Sequence, residues 1–254
     1  MTTVRILQLY PELLSVTGDR GSVTVLRRRA EQAGLGATCT VAERGDPVGD
    51  DVDLVVIGNG PLSALRTLHS DLLRRRDWLA DHVASGGAVW AVGAGAEILG
   101  RTITDRDGET LTGLDLIPMT VTRTRERHVG YIVADTPDGR LVGFEDHASS
   151  WDLHEPDAPL LRYGRVIAGD GSIPAAAERY ETVRRGAVWA TNVQGPALPL
   201  NPWLADLVLG AAFARTGTSY ASGAAHEAFD APARAARADI ERLAIDHHVT
   251  SIPL

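Results

Sequence analysis

The hydrophobic pattern of the first hundred residues alternates between short apolar runs and amphipathic stretches. VRILQLY (Val4 to Tyr10), ATCTVA, DLVVIGNG and AVWAV are predicted strands, and the last two are continuous apolar runs typical of parallel strands covered on both faces. Between them, Gly21 to Gly34 and Leu62 to Ser85 have helical spacing. The order predicts an α/β fold in which helices sandwich a mostly parallel sheet, with ligands bound beyond the carboxyl ends of the strands.

The pattern changes after residue 101. Thr102 to Phe144 contains two DG turns between alternating segments and predicts consecutive β-hairpins. Ser149 to Pro159 is polar and predicts a loop, and Gly186 to Val193 predicts one more buried strand. In NPWLADLVLGAAFAR, Asn201 is a predicted N-cap and Pro202 the first helical residue.

A linker and an alanine-rich amphipathic segment from about Ala224 to Ile245 end the chain. We therefore predict a main domain over residues 1–216 and a linker with a C-terminal helical extension over residues 217–254. Periodicity leaves open whether the tail helix covers the protein's own surface or docks onto a partner.

Composition excludes several classes of function. The 254-residue chain has a formal net charge of −8, which argues against nucleic acid as a partner. The apolar run LADLVLGAAFA is too short to span a membrane and contains Asp206.

Cys39, on a predicted strand, is the single cysteine and is expected to be a small buried hydrophobic residue. No signal peptide is recognisable, so a soluble protein of the reducing cytoplasm is expected. The arginine triplets Arg27 to Arg29 and Arg74 to Arg76 are expected on solvated helix faces.

Two glycine turns follow buried strands: IGNGP (Ile57 to Pro61) and VGAGAE (Val92 to Glu97). Both are expected at the same edge of the sheet. Their backbone N–H groups could bind an oxyanion or carboxylate, or the glycines could serve only to let strand and helix pack closely. The residues alone do not choose between these two roles.

The strings nevertheless resemble those of one family, the class I glutamine amidotransferases of the CobB/CobQ type. TGDRGSVTVLRRRA, DLVVIGNGP, DGETLTGLDLIP and GYIVADTPDGRLVGFEDH are similar to successive family segments, the last of which normally ends in GFENH. TNVQGPALPLNPWLAD resembles the family stretch LHGPxLPxNPxLAD. The resemblance runs from about Ile6 to Arg215 and is closest to GatD, the glutaminase subunit of lipid II isoglutaminyl synthases. It implies a flavodoxin-like three-layer fold with inserted hairpins.

The resemblance also implies where glutaminase chemistry would lie, and both reactive residues differ. The family cysteine, in a string like CGGYQxLG, falls on Gly93, and its glutamine falls on Glu97. The family histidine of HGP falls on Gln194. Glycine has no thiolate, and a neutral amide cannot act as a general base. No catalytic residue for a glutaminase is therefore expected.

Several residues remain candidates for binding a ligand. Arg127 matches a family arginine that contacts glutamine, although the run RTRERH by itself favours an exposed arginine. Glu145, Asp146 and His147 form a possible polar cluster, with Glu145 and His147 on one strand face, but no third ligand for a metal is recognisable and none is expected. The full set of ligand-binding candidates is Gly58, Asn59, Gly60, Ala94, Glu97, Arg127 and Gln194.

Three functional hypotheses follow. The first is a glutaminase-deficient pseudoenzyme that pairs, as a heterodimer, with a Mur-ligase-like subunit (MurT in the resembling family), which would carry the ATP and Mg²⁺; this chain would hold no cofactor. The second is an enzyme with repurposed chemistry in the same pocket. The third is a sensor of glutamine or another small amino-acid ligand.

Overall fold

The computed structural model describes residues 2–154, 162–195, 197–246 and 250–253. Its strands are β1 (Thr3–Leu9), β2 (Gly36–Ala42), β3 (Leu54–Ile57), β4 (Ala88–Val92), β5 (Thr102–Thr104), β6 (Thr110–Thr112), β7 (Met119–Thr136), β8 (Gly139–Leu153), β9 (Arg162–Ala168), β10 (Ile173–Pro174), β11 (Arg179–Arg185), β12 (Val188–Thr191), β13 (Val193–Gln194) and β14 (Thr250–Pro253). Its helices are α1 (Asp19–Gln32), α2 (Leu62–Arg74), α3 (Arg76–Ala84), α4 (Ala94–Glu97), α5 (Ala197–Leu200), α6 (Pro202–Ala214) and α7 (Glu227–Asp246), the last preceded by a 3-10 turn (Ala224–His226).

Five strands form the parallel half of one mixed sheet, in the order β2, β1, β3, β4, β12. Alternate residues of β3 point to opposite faces: Leu54 and Val56 pack with α1 and α6, whereas Val55 and Ile57 pack with α2 and α3. All four are fully buried, which explains the unbroken apolar run. The predicted three-layer α/β sandwich is confirmed.

The inserted hairpins extend this same sheet in antiparallel order. From β12 outward the strands are β11, β9, β7, β8 and β13. β8 continues to Leu153, so the loop predicted from Ser149 is wrong for its first residues; the rest of that segment, 155–159, lies outside the described residues. A buried face with Ser149 and Trp151 keeps the strand going despite its polar composition.

Two other predictions need correction. The helix expected over Leu62 to Ser85 is broken at Arg75, whose guanidinium turns inward to Asp71 and to the carbonyl of Asp46 (Nη2 to O, 2.8 Å). Each arginine triplet therefore has one buried member, Arg29 and Arg75, instead of a fully solvated face. Burial is possible because each guanidinium meets a carboxylate partner.

Asn201 stands immediately before α6, with Pro202 as its first residue, as predicted. Its side chain does not cap the helix. It bonds instead to both backbone groups of Val142 in β8 (3.0 Å from N and 2.8 Å to O). Asn201 thus ties α6 to the antiparallel half of the sheet.

The tail helix α7 covers part of the protein's own surface. It packs against β7 and β8, where Ala244 and Ile240 contact Val133 and Val142. At its other end, the buried Arg29 bonds Asp230 of α7 (Nη1 to Oδ1, 2.5 Å). The backbone of β14 then pairs with Glu126–Val129 of β7.

Candidate functional site

The Gly93 turn keeps the geometry of a nucleophile elbow. Gly93 joins β4 to α4 with φ 55° and ψ −122°, a conformation that side chains rarely adopt, and its carbonyl accepts the N–H groups of Ala96 and Glu97. Its own N–H bonds Thr191 O of β12 at 2.8 Å. The turn that presents a reactive side chain in such folds is present here without the side chain.

The second glycine turn packs directly on the first. Gly95 N donates to Gly58 O (3.2 Å), and a Cβ at Gly58 would lie only 2.8 Å from the Cβ of Asp19. Close approach therefore requires the glycine. Asn59, between the two glycines, accepts the N–H of Ala94 with its side-chain oxygen (Oδ1, 3.0 Å). The amide at the start of α4 is therefore occupied by a residue of the same chain.

Asp19 fixes the backbone of this second glycine turn through a hydrogen bond. It is 2% exposed, and its Oδ2 accepts the backbone N–H of Asn59 at 3.0 Å. Burial raises the pKa of Asp19 to about 6, although hydrogen bonds from Asn59 and Thr17 act in the opposite direction. The sequence offered only a family match for Asp19 and no hint of this contact.

Glu145 and His147 lie on one face of β8, as predicted. The His147 Nε2 is 3.3 Å from Glu145 Oε2, and Glu145 also accepts the backbone N–H groups of Asp170 (2.7 Å) and Gly171 (2.9 Å). Burial lowers the pKa of His147, but the hydrogen bond to Glu145 and the nearby carboxylates outweigh it, so the pKa is raised. His147 is thus a buried imidazole biased toward its charged form.

Asp146, on the opposite face of β8, is flanked by two of the predicted candidates. Arg127 forms a bidentate pair with it (Nε to Oδ1, 2.5 Å; Nη2 to Oδ2, 2.8 Å), and Gln194 Nε2 donates to its backbone oxygen (2.9 Å). Arg127 reaches this position because the β7–β8 register shifts between Arg123 and His128. The Arg127 side chain remains 45% exposed, so it can still contact a ligand.

Glu97 has a cationic partner that the sequence did not reveal. Arg123 Nη2 lies 2.6 Å from Glu97 Oε2, and Arg123 Nε lies 2.9 Å from the same oxygen. Glu97 is 2% exposed. A buried carboxylate therefore replaces a neutral amide of the resembling family and is neutralised within the chain.

One cavity of about 440 Å³ collects most of these residues. Seven predicted candidates line it: Asn59, Gly60, Glu97, Arg127, Asp146, His147 and Gln194. Thr17, Arg123 and Asn192 line it too and were missed, because nothing in their local strings marks them. Gly58, Gly93, Ala94 and Glu145 are not among the lining residues. Whether the cavity binds a ligand stays a prediction.

Two residues that line this cavity each carry a buried polar atom with no partner among the described residues. The atoms are Nδ1 of His147 and Oδ1 of Asn192, on residues that are 6% and 1% exposed. Buried polar atoms are nearly always hydrogen-bonded, so each has unused hydrogen-bonding capacity. In the described part of the chain, no group of three or more His, Cys, Asp or Glu side chains is placed to hold a metal ion.

Cys39 cannot substitute for the missing nucleophile. It lies on β2, at the edge of the sheet and three strands from β4, a lateral separation of roughly 14 Å. The expectation that it is buried is wrong: it is exposed, because nothing in the described chain covers that stretch of β2.

Comparison with known proteins finds a matching family model and several relatives. Residues 5–201 match the family model of the CobB/CobQ-like glutamine amidotransferase domain. The chain is 26% identical, over 80% of its length and 77% of the relative's, to the lipid II isoglutaminyl synthase (glutamine-hydrolyzing) subunit GatD of Streptococcus pneumoniae. It is 31% identical over 54% of its length to cobyric acid synthase of Methylobacterium nodulans, of which it spans only 31%.

A solved glutamine amidotransferase structure shares the fold, with a TM-score of 0.52 at 15% identity over 82% of this chain and 98% of that one. Within the described ranges, no helix is long and apolar enough to cross a membrane.

Proposed function

The chain belongs to the CobB/CobQ-like glutamine amidotransferase family, and we propose that it is a glutaminase-deficient member that works as a scaffold or regulator of an ATP-dependent, Mur-ligase-like partner. The partner would form the amide bond and would bind the ATP and Mg²⁺. This chain would carry no cofactor of its own and would act with its partner in the cytoplasm.

The observation that carries the proposal is the pair of positions Gly93 and Gln194. Glutamine hydrolysis through a covalent intermediate needs a thiolate and a base within hydrogen-bond reach. The elbow at Gly93 has no side chain, Gln194 cannot titrate, and Cys39 lies at the far edge of the sheet. Loss of either reactive group alone costs several orders of magnitude in rate, so loss of both removes the activity.

Partnership is supported by a relative that is itself a subunit. The Streptococcus pneumoniae protein is a subunit of lipid II isoglutaminyl synthase, and the similarity covers 77% of its length. The fold and the packed turns persist here without the reactive residues. A surface that a ligase needs would explain why the scaffold remains.

The test is affinity purification of the tagged protein from its native source, with mass spectrometry of stoichiometric partners. We expect a Mur-ligase-like protein, and we expect the purified complex to form amide from ammonium and ATP but not from glutamine. A protein that emerges alone contradicts the partnership, and glutamine-dependent amide formation contradicts the glutaminase deficiency.

A second candidate is a sensor or repurposed enzyme that acts on a small amino-acid ligand. The specific observation in its favour is the cavity that Arg127, His147 and Asn192 help to line, the last two of which carry the unpartnered Nδ1 and Oδ1 atoms. Calorimetry with glutamate and glutamine tests binding. Alanine substitution of Glu97 and Glu145 tests chemistry, and unchanged activity in both variants would argue against a repurposed enzyme.

A further inference from the structure

The side chain of Asn59 lies where a side chain at position 93 would have to go. A Cβ built on Gly93 overlaps the Asn59 carboxamide and lies 2.8 Å from the Asn59 Cβ. Contacts under 3.0 Å are essentially never made by real Cβ atoms. Turning the carboxamide away would clear its oxygen but would leave the Asn59 Cβ in place.

The backbone beneath Asn59 is held on both sides. Its N–H donates to the buried Asp19, and its carbonyl accepts the N–H of Val16 (3.1 Å). The turn therefore cannot move back without breaking one of these bonds. The same side chain also occupies the Ala94 N–H, the amide that a ligand oxygen at the elbow would need.

We propose that Asn59 is a specificity-determining residue that closes the elbow end of the cavity to carboxamide ligands such as glutamine. Its own carboxamide sits on the Ala94 amide in the manner of a tethered ligand and fills the space above Gly93. The elbow has therefore lost its reactive residue and is also blocked. The inference deepens the proposed function, on which it rests, by naming the ligand class that the site excludes.

A double-mutant cycle tests the closure directly. The variants Gly93→Cys, Asn59→Gly and their combination are made with Cys39→Ser, so that the thiol introduced at position 93 is the only one in the protein. Gly93→Cys should lower the melting temperature by at least ~5 °C more in the presence of Asn59 than in the Asn59→Gly protein. Iodoacetamide should alkylate the introduced thiol at least ~10-fold faster once Asn59 is removed.

Gly186 supplies the matched control. It has a similar φ of 59° and nothing within 4 Å of an added Cβ, so Gly186→Cys places a side chain on a positive-φ backbone without the overlap. Its effect should be independent of Asn59. The melting-temperature changes of Gly186→Cys and Asn59→Gly should be additive. If those of Gly93→Cys and Asn59→Gly are additive as well, the proposed closure by Asn59 is contradicted.

Calorimetry with L-glutamine tests the specificity. The Asn59→Gly protein, with Gly93 unchanged, should bind glutamine at least ~10-fold more tightly than the wild type. Equal behaviour of the two proteins, including no binding by either, overturns the specificity claim. A ligase complex that fails to form overturns the proposed function and leaves these results unaffected.

Discussion

Arg123 and Glu97 form an ion pair across the cavity wall, with Arg123 Nη2 2.6 Å from Glu97 Oε2. The carboxylate comes from α4, directly after the elbow, and the guanidinium comes from β7, at the start of the register shift. The Glu97 side chain is 3% exposed and the Arg123 side chain 22%. The inserted hairpin is thereby joined electrostatically to the parallel half of the sheet.

Glu97→Gln should destabilise the protein by about 2 kcal/mol, because it leaves the Arg123 guanidinium partly buried with only a neutral acceptor. Urea unfolding at neutral pH measures the change. Glu109→Gln is the matched control, since Glu109 pairs with Arg66 but is 74% exposed, and it should change stability by less than about 0.5 kcal/mol. Equal effects of the two substitutions would contradict a special role for the Glu97 pair.

Asp19 should make stability fall as the pH rises. Its pKa is raised from the ordinary 3.8 of an aspartate to about 6 in the fold, so the native state binds the proton more tightly than the unfolded state. The stabilisation is complete below about pH 4 and is lost as the pH rises through 6. Above pH 6 the contribution of Asp19 to the free energy of unfolding is about 1–3 kcal/mol smaller than it is below pH 4.

Asp19→Asn removes that titration while keeping an oxygen for the Asn59 N–H. The stability of the variant relative to the wild type should therefore increase between pH 4.5 and pH 7. Unfolding curves of both proteins at several pH values provide the difference, in which other titrating groups cancel. A difference that does not change with pH would show that Asp19 has an ordinary pKa in the fold.

Arg29→Ala should weaken the attachment of the tail helix. Arg29 is 2% exposed and bonds Asp206 of α6 and Asp230 of α7. Its removal leaves two partly buried carboxylates unpaired, which should cost about 3 kcal/mol and increase amide hydrogen exchange in α7. Arg28 belongs to the same triplet, but its side chain is 54% exposed, so Arg28→Ala should change neither the stability nor the hydrogen exchange of α7.

Much of the fold was predictable from periodicity and glycine turns. Three strands of the parallel half, β3, β4 and β12, are buried on both faces, and unbroken apolar runs next to glycine turns are typical of parallel strands under two helical layers. The break at Arg75 and the burial of Arg29 were not predictable, because both depend on carboxylates distant in sequence or on carbonyls of another loop. Local composition alone predicts that those arginines are exposed to solvent.

The site divides in the same way. Gly93, Gln194 and Arg127 could be named because family strings mark them. Asn59 could be named as a turn residue, but its occupation of the Ala94 amide depends on how two glycine turns from different strands approach each other. Arg123, Asn192 and Asp19 are positioned by contacts between segments distant in sequence, which no single string encodes.

Glu181 organises the strand end that carries Asn192 and Gln194. It is fully buried and accepts five hydrogen bonds, from Ser172 N (3.0 Å), Ser172 Oγ (2.7 Å), Thr182 N (2.8 Å), Thr191 Oγ1 (3.0 Å) and Asn192 N (2.7 Å). Only a carboxylate can meet donors at both oxygens. An amide in its place would set N–H against N–H at whichever end its nitrogen faced.

Glu181→Gln should therefore cost about 2–4 kcal/mol, since a buried donor would be left unsatisfied whichever way the amide turns. Thr191 also accepts the Gly93 N–H through its carbonyl, so the amide resonance of Gly93 should shift in nitrogen–proton correlation spectra. Glu178→Gln, exposed beside the same strand, should leave both the stability and that resonance unchanged. A Glu181→Gln protein as stable as the wild type would contradict the requirement for an acceptor at both side-chain oxygens.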